Sequence, residues 1–267
     1  MVGLSPLGAT GLQVSALGLG TVKFGRNQGV NYPRAFSLPS DSEILRLLQT
    51  AWDLGINLLD TAPAYGGSEE RLGRLLQQCR REWVIVTKVG EEFADGVSRF
   101  DFSAAATRAS IERSLRRLGV EVLDAVLIHS NGDDAAILER EEVLPCLFDL
   151  KQAGLVRAVG ISSKTVAGGL RAVERCDVLM VTCNPRQQAE LPVIRAAHAT
   201  NRGVLIKKGL LSGHLDQLAG TDPVSASLRF IYAQPGINSV VVGTLNPAHL
   251  RANMAAAEQA LALAAMG

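Results

Sequence analysis

No apolar run in the 267 residues is long enough to cross a bilayer. The first twenty residues also lack the basic start, apolar stretch and cleavage site of a secretory leader. A soluble, cytoplasmic protein is therefore expected, with no membrane partner. Cysteine is scarce: Cys79, Cys146, Cys176 and Cys183 form no C-x-x-C pair and have no histidine at ligand spacing. That excludes a disulfide framework and a structural metal as the basis of the fold, and it points to reduced, mostly buried thiols. An excess of one charge is lacking too, since 27 basic residues face 26 acidic ones for a net charge of +1. Nothing in that balance attracts nucleic acid or an anionic surface. There is no low-complexity linker, no tandem repeat and no shift of composition between the halves, so residues 1–267 read as a single domain.

What the chain does contain is an alternation. Short β-favouring runs stand at Ala16–Thr21, Ile56–Asp60, Val84–Lys88, Leu123–His129, Val156–Ile161, Val178–Thr182, Val204–Lys207 and Ile237–Val242. Segments of helical periodicity follow them near 41–54, 69–81, 104–118, 139–153, 165–174, 188–201, 222–233 and 247–263. Eight strand–helix units without an antiparallel interruption predict a (β/α)₈ TIM barrel, with a doubly wound open sheet as the alternative. Ser40 with Glu43 forms a capping-box pattern, and Asp222-Pro223 and Asn246-Pro247 place a cap before a first-turn proline. Gly55, Gly119, Gly154 and Gly203 stand where left-handed helix C-caps are wanted. Residues 3–15, turning at Gly8-Ala9-Thr10-Gly11, predict a short N-terminal β-hairpin that could plug the lower face of the barrel. Residues 22–40 and 89–103 read as long loops without pattern, and both fall on the carboxyl-end face.

Four polar residues close or follow consecutive runs: Asp60, Tyr65, Lys88 and His129. Each alone has an ordinary reading, as a turn cap, a packed aromatic, a solvated lysine or a strand-end histidine. On neighbouring parallel strands they meet at the face where barrel active sites gather. A phenol of ordinary pKa near 10 is a poor acid at neutral pH. A nearby ammonium, held by a carboxylate, favours the phenolate left after proton donation. A neutral imidazole can donate a hydrogen bond to the other side of the reacting oxygen. The set suits protonation of a carbonyl oxygen as a hydride reaches its carbon.

Gly18-x-Gly20 continues neither to a third glycine nor into a helix, so it is not a Rossmann phosphate loop. Phosphates are expected instead at Lys207-Lys208-Gly209-Leu210-Leu211-Ser212-Gly213 and at Gly243-Thr244-Leu245-Asn246-Pro247, after the seventh and eighth strands.

The segments Leu17-Gly18-Leu19-Gly20-Thr21, Asp60-Thr61-Ala62-Pro63-Ala64-Tyr65-Gly66, Val86-Thr87-Lys88-Val89, Leu127-Ile128-His129-Ser130 and Val159-Gly160-Ile161-Ser162 resemble the aldo-keto reductases, over nearly the whole chain. The resemblance implies a barrel using a nicotinamide cofactor, usually NADPH with NADH open, and a small-molecule aldehyde or ketone as substrate. It implies Tyr65 as general acid, Lys88 and Asp60 tuning it, and His129 positioning substrate. It places Gly20, Thr21, Ser162, Ser163, Lys207, Ser212, Gly213, Gly243, Thr244, His249 and Asn253 along the cofactor, with Ser162 at the nicotinamide amide. Ser163 stands where Asn is frequent in the family, Met180 where Gln is, and Cys183 where an aromatic often stacks on the nicotinamide. Gly243 and His249 replace basic residues that many members carry for the 2′-phosphate, although Arg251 is close in sequence. Lys207-Lys208 replaces an aromatic-Ser pair, and each lysine is expected to meet cofactor, an anionic substrate or solvent. The long C-terminal substrate loop of many relatives is not seen, which leaves substrate choice to 22–40, 89–103 and 130–138. The sequence identifies neither the substrate nor the oligomeric state. Two other readings are a cofactor-binding redox sensor without turnover and a barrel isomerase or aldolase with Lys88 as Schiff-base nucleophile.

Overall fold

A computed structural model describes residues 3–79, 81–218 and 220–266. Each of the eight apolar runs forms a strand, and their mutual pairing is parallel throughout. The chain begins with β1 (Ser5–Pro6), β2 (Gln13–Val14), β3 (Leu17–Gly20), one helical turn α1 (Val22–Gly25), α2 (Asp41–Asp53) and β4 (Leu58–Asp60). It continues through α3 (Ser68–Cys79), β5 (Val84–Val89), β6 (Glu91–Ala94), β7 (Val97–Phe100), α4 (Ala104–Leu118) and β8 (Leu123–His129). Then come α5 (Asp134–Glu139), α6 (Val143–Gln152), β9 (Val156–Ser162), α7 (Val166–Arg175), β10 (Val178–Thr182) and α8 (Leu191–Ala199). The last elements are β11 (Gly203–Lys207), α9 (Pro223–Tyr232), β12 (Ser239–Val242) and α10 (Pro247–Ala264). The sheet closes in the order β3-β4-β5-β8-β9-β10-β11-β12, with β12 paired to β3. This is the (β/α)₈ barrel, and the open-sheet alternative falls.

Apolar side chains divide between two cores because strand side chains alternate in and out. Leu59, Val126, Val159, Leu179 and Ile206 point outward and bury the inner faces of the helices. Leu58, Val86, Leu127, Met180 and Leu205 point inward and pack against Leu7, Leu12 and Val14 of the N-terminal hairpin. The antiparallel pair β1–β2 is therefore the expected plug. Its closest approach is backbone on backbone: a Cβ at Gly8, whose φ is +54°, would lie 2.3 Å from Gly203 N. Gly203 opens β11 rather than capping α8, and the left-handed residue is Asn201, with φ of +53°. Gly203 lacks a side chain because Leu7 occupies the place where one would sit.

Helix ends follow the expected chemistry at several points. Ser40 and Glu43 close a capping box on α2, while Asp222 and Asn246 cap α9 and α10. The helix expected over 139–153 forms as α6, Val143–Gln152, and the short α5 precedes it, so 130–138, expected as a loop, is partly helical. The larger departure is at 89–103. Instead of a loop it carries the antiparallel hairpin β6–β7, with Ala94 opposite Val97. Asp95 and Gly96 turn it with φ of +54° and +80°. Two consecutive positive φ values define the turn for which Asp-Gly is favoured.

Candidate active site

The carboxyl ends of the strands open into one cavity of about 1720 Å³. Asp60, Tyr65, Lys88 and His129 line it, as do Gly20, Ser162, Ser163, Lys207, Ser212, Gly213, Gly243, Thr244, His249 and Asn253. Thr21 does not. Its hydroxyl donates to Asp60 O at 2.9 Å and lies 2.8 Å from Ser68 Oγ, fully buried. Thr21 thus braces the strand that carries Asp60, and its expected place beside the cofactor is corrected.

Asp60 ends β4 and Lys88 lies near the end of β5, one strand away. Lys88 Nζ donates to Asp60 Oδ1 at 2.5 Å and to Thr61 O at 2.9 Å. The ammonium side chain is 1 % exposed and the carboxylate 6 %. Charges this buried persist only when paired and hydrogen-bonded, and here each satisfies the other. Tyr65 closes a 3₁₀ turn, Pro63–Tyr65, and its hydroxyl donates to Asp60 Oδ2 at 3.4 Å. The turn is fixed by a tight crossing, since a Cβ at Gly66 would meet Gly25 O at 2.3 Å. Lys88 Nζ lies 4.7 Å from the centre of the Tyr65 ring.

The electrostatic balance at the phenol differs from the sequence expectation. Burial, followed by the charges of Asp60 and Glu91 and the hydrogen bond to Asp60, pushes Tyr65 well above 10, against the lowering charge of Arg26. The Lys88 charge is held by Asp60 rather than by the phenol. Tyr65 therefore keeps its proton in the resting site.

His129 ends β8, with its Nδ1 2.7 Å from Glu91 Oε2. Burial, and then the charges of Lys88 and Lys207, hold the imidazole below its ordinary pKa against the opposing Glu91 carboxylate. Glu91 also accepts from Ser98 Oγ at 2.6 Å and lies 3.9 Å from Arg26. Arg26 in turn donates to Ala64 O at 3.0 Å and stacks on Phe93, 3.4 Å from its ring centre. Sequence reasoning missed Glu91 and Arg26. The signal that could have found Glu91 is Asp95-Gly96, which folds 91–100 into a hairpin against the Pro63–Tyr65 turn.

On the opposite wall, Lys207 Nζ donates to Ser162 Oγ at 2.8 Å and to Ser163 O at 2.5 Å, so it is not a solvated lysine. Burial first, with help from Lys208, pulls its pKa down to about 8, and Glu190 opposes. Ser163 Oγ donates to Glu190 Oε1 at 3.1 Å. Asn184 is a second residue the sequence did not flag. It donates to Lys208 O at 3.0 Å and so holds the start of the loop that carries Ser212. In that loop Lys208, Leu211 and Ser212 adopt φ of +56°, +49° and +54°. Such backbone is costly for residues with a Cβ and is typical of ligand-holding segments. Cys183 is buried among the outer-core residues and does not line the cavity.

A nicotinamide dinucleotide fits these features. The cavity exceeds the roughly 300–1,000 Å³ of pockets for drug-sized ligands. Its lining includes Lys207, Lys208, Arg34 and Arg186, and it reaches the N-terminal turn of the 18-residue α10, whose free N–H groups suit phosphate.

A model of the aldo/keto reductase family matches residues 16–217. The chain belongs to that family. A D-threo-aldose 1-dehydrogenase from Pseudomonas sp. is 31 % identical over 237 residues, 78 % of this chain and 70 % of that protein. The NADH-specific methylglyoxal reductase of Escherichia coli is 31 % identical over 171 residues, 59 % of this chain and 51 % of that one. The crystal structure of a Pseudomonas aeruginosa protein described as an aldo-keto reductase is 55 % identical, covers 97 % of this chain and 96 % of its own, and superposes with a TM-score of 0.88. As an aldo-keto reductase, the protein is an NAD(P)H-dependent oxidoreductase of carbonyl compounds. No helix among the described residues is long and apolar enough to cross a membrane.

Proposed function

We propose that one barrel domain reduces a small hydroxylated aldehyde or ketone to its alcohol, in the cytoplasm, with Tyr65 as the proton donor. When bound, the reduced nicotinamide supplies the hydride. Tyr65 donates its hydroxyl proton to the carbonyl oxygen as that oxygen gains charge, and solvent later reprotonates the phenolate. Lys88, paired with Asp60, offsets the charge left on the phenolate, while Asp60 orients the phenol. His129 meets the same oxygen from the side opposite Tyr65. In the reverse direction the same groups serve oxidation of an alcohol.

The convergence of the buried Asp60–Lys88 pair, Tyr65 and His129 on one cavity is the observation that carries this reading. An ammonium held at 2.5 Å by a carboxylate suits electrostatic support better than nucleophilic attack, which needs an unpaired, neutral amine. The hydroxylated substrate class is suggested by the name of the Pseudomonas sp. relative. NADPH is the proposed cofactor, because Lys208, Arg34 and Arg186 along the cavity suit a third phosphate group. The name of the Escherichia coli relative marks NADH as the competing choice. We assign Gly20, Ser162, Ser163 and Lys207 to the nicotinamide end, and Ser212, Gly213, Gly243, Thr244, His249 and Asn253 to the phosphate and adenosine end.

Thermal unfolding with each cofactor, followed by an aldehyde panel, tests the proposal. A ligand at one hundred times its Kd adds about 2.7 kcal/mol of stability. NADPH is expected to raise the midpoint more than NADH at equal concentration, and hydroxyaldehydes are expected to be turned over. If neither nucleotide shifts the midpoint, the reading fails.

A further inference from the structure

Lys207 lines the same cavity as Lys88, but its surroundings are the reverse. Asp60 holds Lys88 as an ammonium. Lys207, half-buried at the end of β11, donates only to neutral oxygens, Ser162 Oγ at 2.8 Å and Ser163 O at 2.5 Å. No carboxylate among the described residues lies within ion-pair distance of its Nζ. Glu190, the carboxylate that most favours its charge, accepts instead from Ser163 Oγ at 3.1 Å and from Thr182 N at 2.8 Å. An ammonium carries three N–H donors, so loss of the third proton leaves both hydrogen bonds in place and a lone pair in the remaining direction. The other lysines along the cavity lack this arrangement. Lys23 lies over two aromatic rings, 4.1 Å from the centre of Tyr32 and 5.2 Å from that of Phe36, which favours its charged form. Lys164 and Lys208 are exposed.

We propose that Lys207 captures small aldehydes as an imine in the cofactor-free enzyme, and that this adduct and the cofactor exclude each other. The capture rests on the proposed entry of small carbonyl compounds into the cavity, and it adds a self-limiting step to that reading. The neutral amine attacks the carbonyl carbon, a C–N bond forms, and the carbonyl π pair passes to oxygen. That oxygen takes a proton from solvent as the nitrogen releases one. The carbinolamine oxygen then takes a second proton and leaves as water, while the nitrogen lone pair closes the C=N bond. Amine and aldehyde give imine and water, with no oxidant, reductant or hydride needed. The nicotinamide end of the cofactor is assigned to Lys207, so a carbon chain bonded there occupies its place. The charged and titratable groups around the amine are Glu190 ahead of α8, Lys208 beside it, Asp134 on α5, Lys164 after β9 and His129 on β8. Burial outweighs both carboxylates, so the neutral amine is already populated near pH 8. At pH 7.5 an amine with a pKa of about 8 is roughly one quarter neutral, against about 0.1 % for an ordinary lysine.

Reductive trapping on the full-length, cofactor-free protein tests the capture. Glyceraldehyde with cyanoborohydride at about pH 7.5, followed by peptide mapping, is expected to label Lys207 faster than Lys164 or Lys208 by on the order of tenfold or more. Saturating NADP⁺ is expected to suppress the Lys207 label, and Lys207→Met to lose it. A Lys207 label no faster than those of Lys164 and Lys208, or one that saturating NADP⁺ leaves unchanged, overturns the proposal. Mapping identifies the labelled residue in the wild type, so the result stands even if Lys207→Met does not fold. Trapping needs no hydride from the cofactor. Turnover of aldehydes without a Lys207 adduct therefore overturns the capture and leaves the reductase reading intact, whereas the adduct without turnover does the reverse.

Discussion

Lys207 shows how far one side chain can depart from the behaviour of its type. Lysine usually extends its ammonium into water, yet here the half-buried side chain lays its amine against Ser162 Oγ and Ser163 O, with its pKa brought down to about 8. A lysine with a lowered pKa is charged below that value and neutral above it. The proposed contact with an anionic cofactor therefore weakens as pH rises through about 8. Two unit charges some 8 Å apart interact by about 2 kcal/mol at an effective dielectric near 20, so the loss is on the order of tenfold in Kd. Titration of NADPH between pH 6.5 and 9.5 should show that decline in the wild type and a flat, weak response in Lys207→Met. A pH dependence retained by Lys207→Met would assign the effect to another group. The same scale exposes what residue types alone could not tell. Asp60, Tyr65, Lys88 and His129 were legible because each ends or follows an apolar run. The direction of the Tyr65 shift was not, because it depends on Asp60 and Glu91 being brought to a buried phenol from two separate elements.

Two hairpins do the work that the barrel strands cannot, one at each end. At the lower face β1–β2 fills the barrel interior with Leu7, Leu12 and Val14. Replacing Gly8 by Ala forces an L-residue into left-handed backbone, at about 1–2 kcal/mol, and adds a methyl within 2.3 Å of Gly203 N. Overpacking of that kind costs about 1–3 kcal/mol more. The expected outcome in thermal unfolding is a midpoint lower by on the order of 5–15 °C, with kcat/KM at 25 °C little changed because the cavity lies at the opposite end. An unchanged midpoint would mean that the hairpin is not a structural plug. This hairpin was readable from Gly8 to Gly11. The β6–β7 hairpin was not read at all, because Glu91–Phe100 offers mixed polar residues instead of clean alternation and only Asp95-Gly96 marks the turn. Its strands are mostly exposed, and it is held by Arg26 and Glu91 rather than by an apolar face.

Across the whole molecule, stability and chemistry occupy different regions. The hairpin plug and the interior layer close the barrel from below, the outer core binds the helices, and the polar residues gather at the strands' carboxyl ends. That division is why the architecture was legible: eight apolar runs with intervening helical periodicity leave few ways to bury both faces of a parallel sheet. It is also why substrate identity was not. The walls come from 22–40, 186–190 and 207–216, whose shapes follow from tertiary contacts such as Asn184 to Lys208 O. The central claim is that a phenol which holds its proton at rest releases it only when a carbonyl oxygen beside it gains charge. Single-turnover oxidation of bound NADPH, followed by stopped flow in the wild type and in Tyr65→Phe, tests that claim most directly. The account predicts a loss in rate on the order of 10²-fold or more in Tyr65→Phe, the usual scale for removing an acid catalyst, with the NADPH Kd unchanged. Wild-type single-turnover rates in Tyr65→Phe would contradict it.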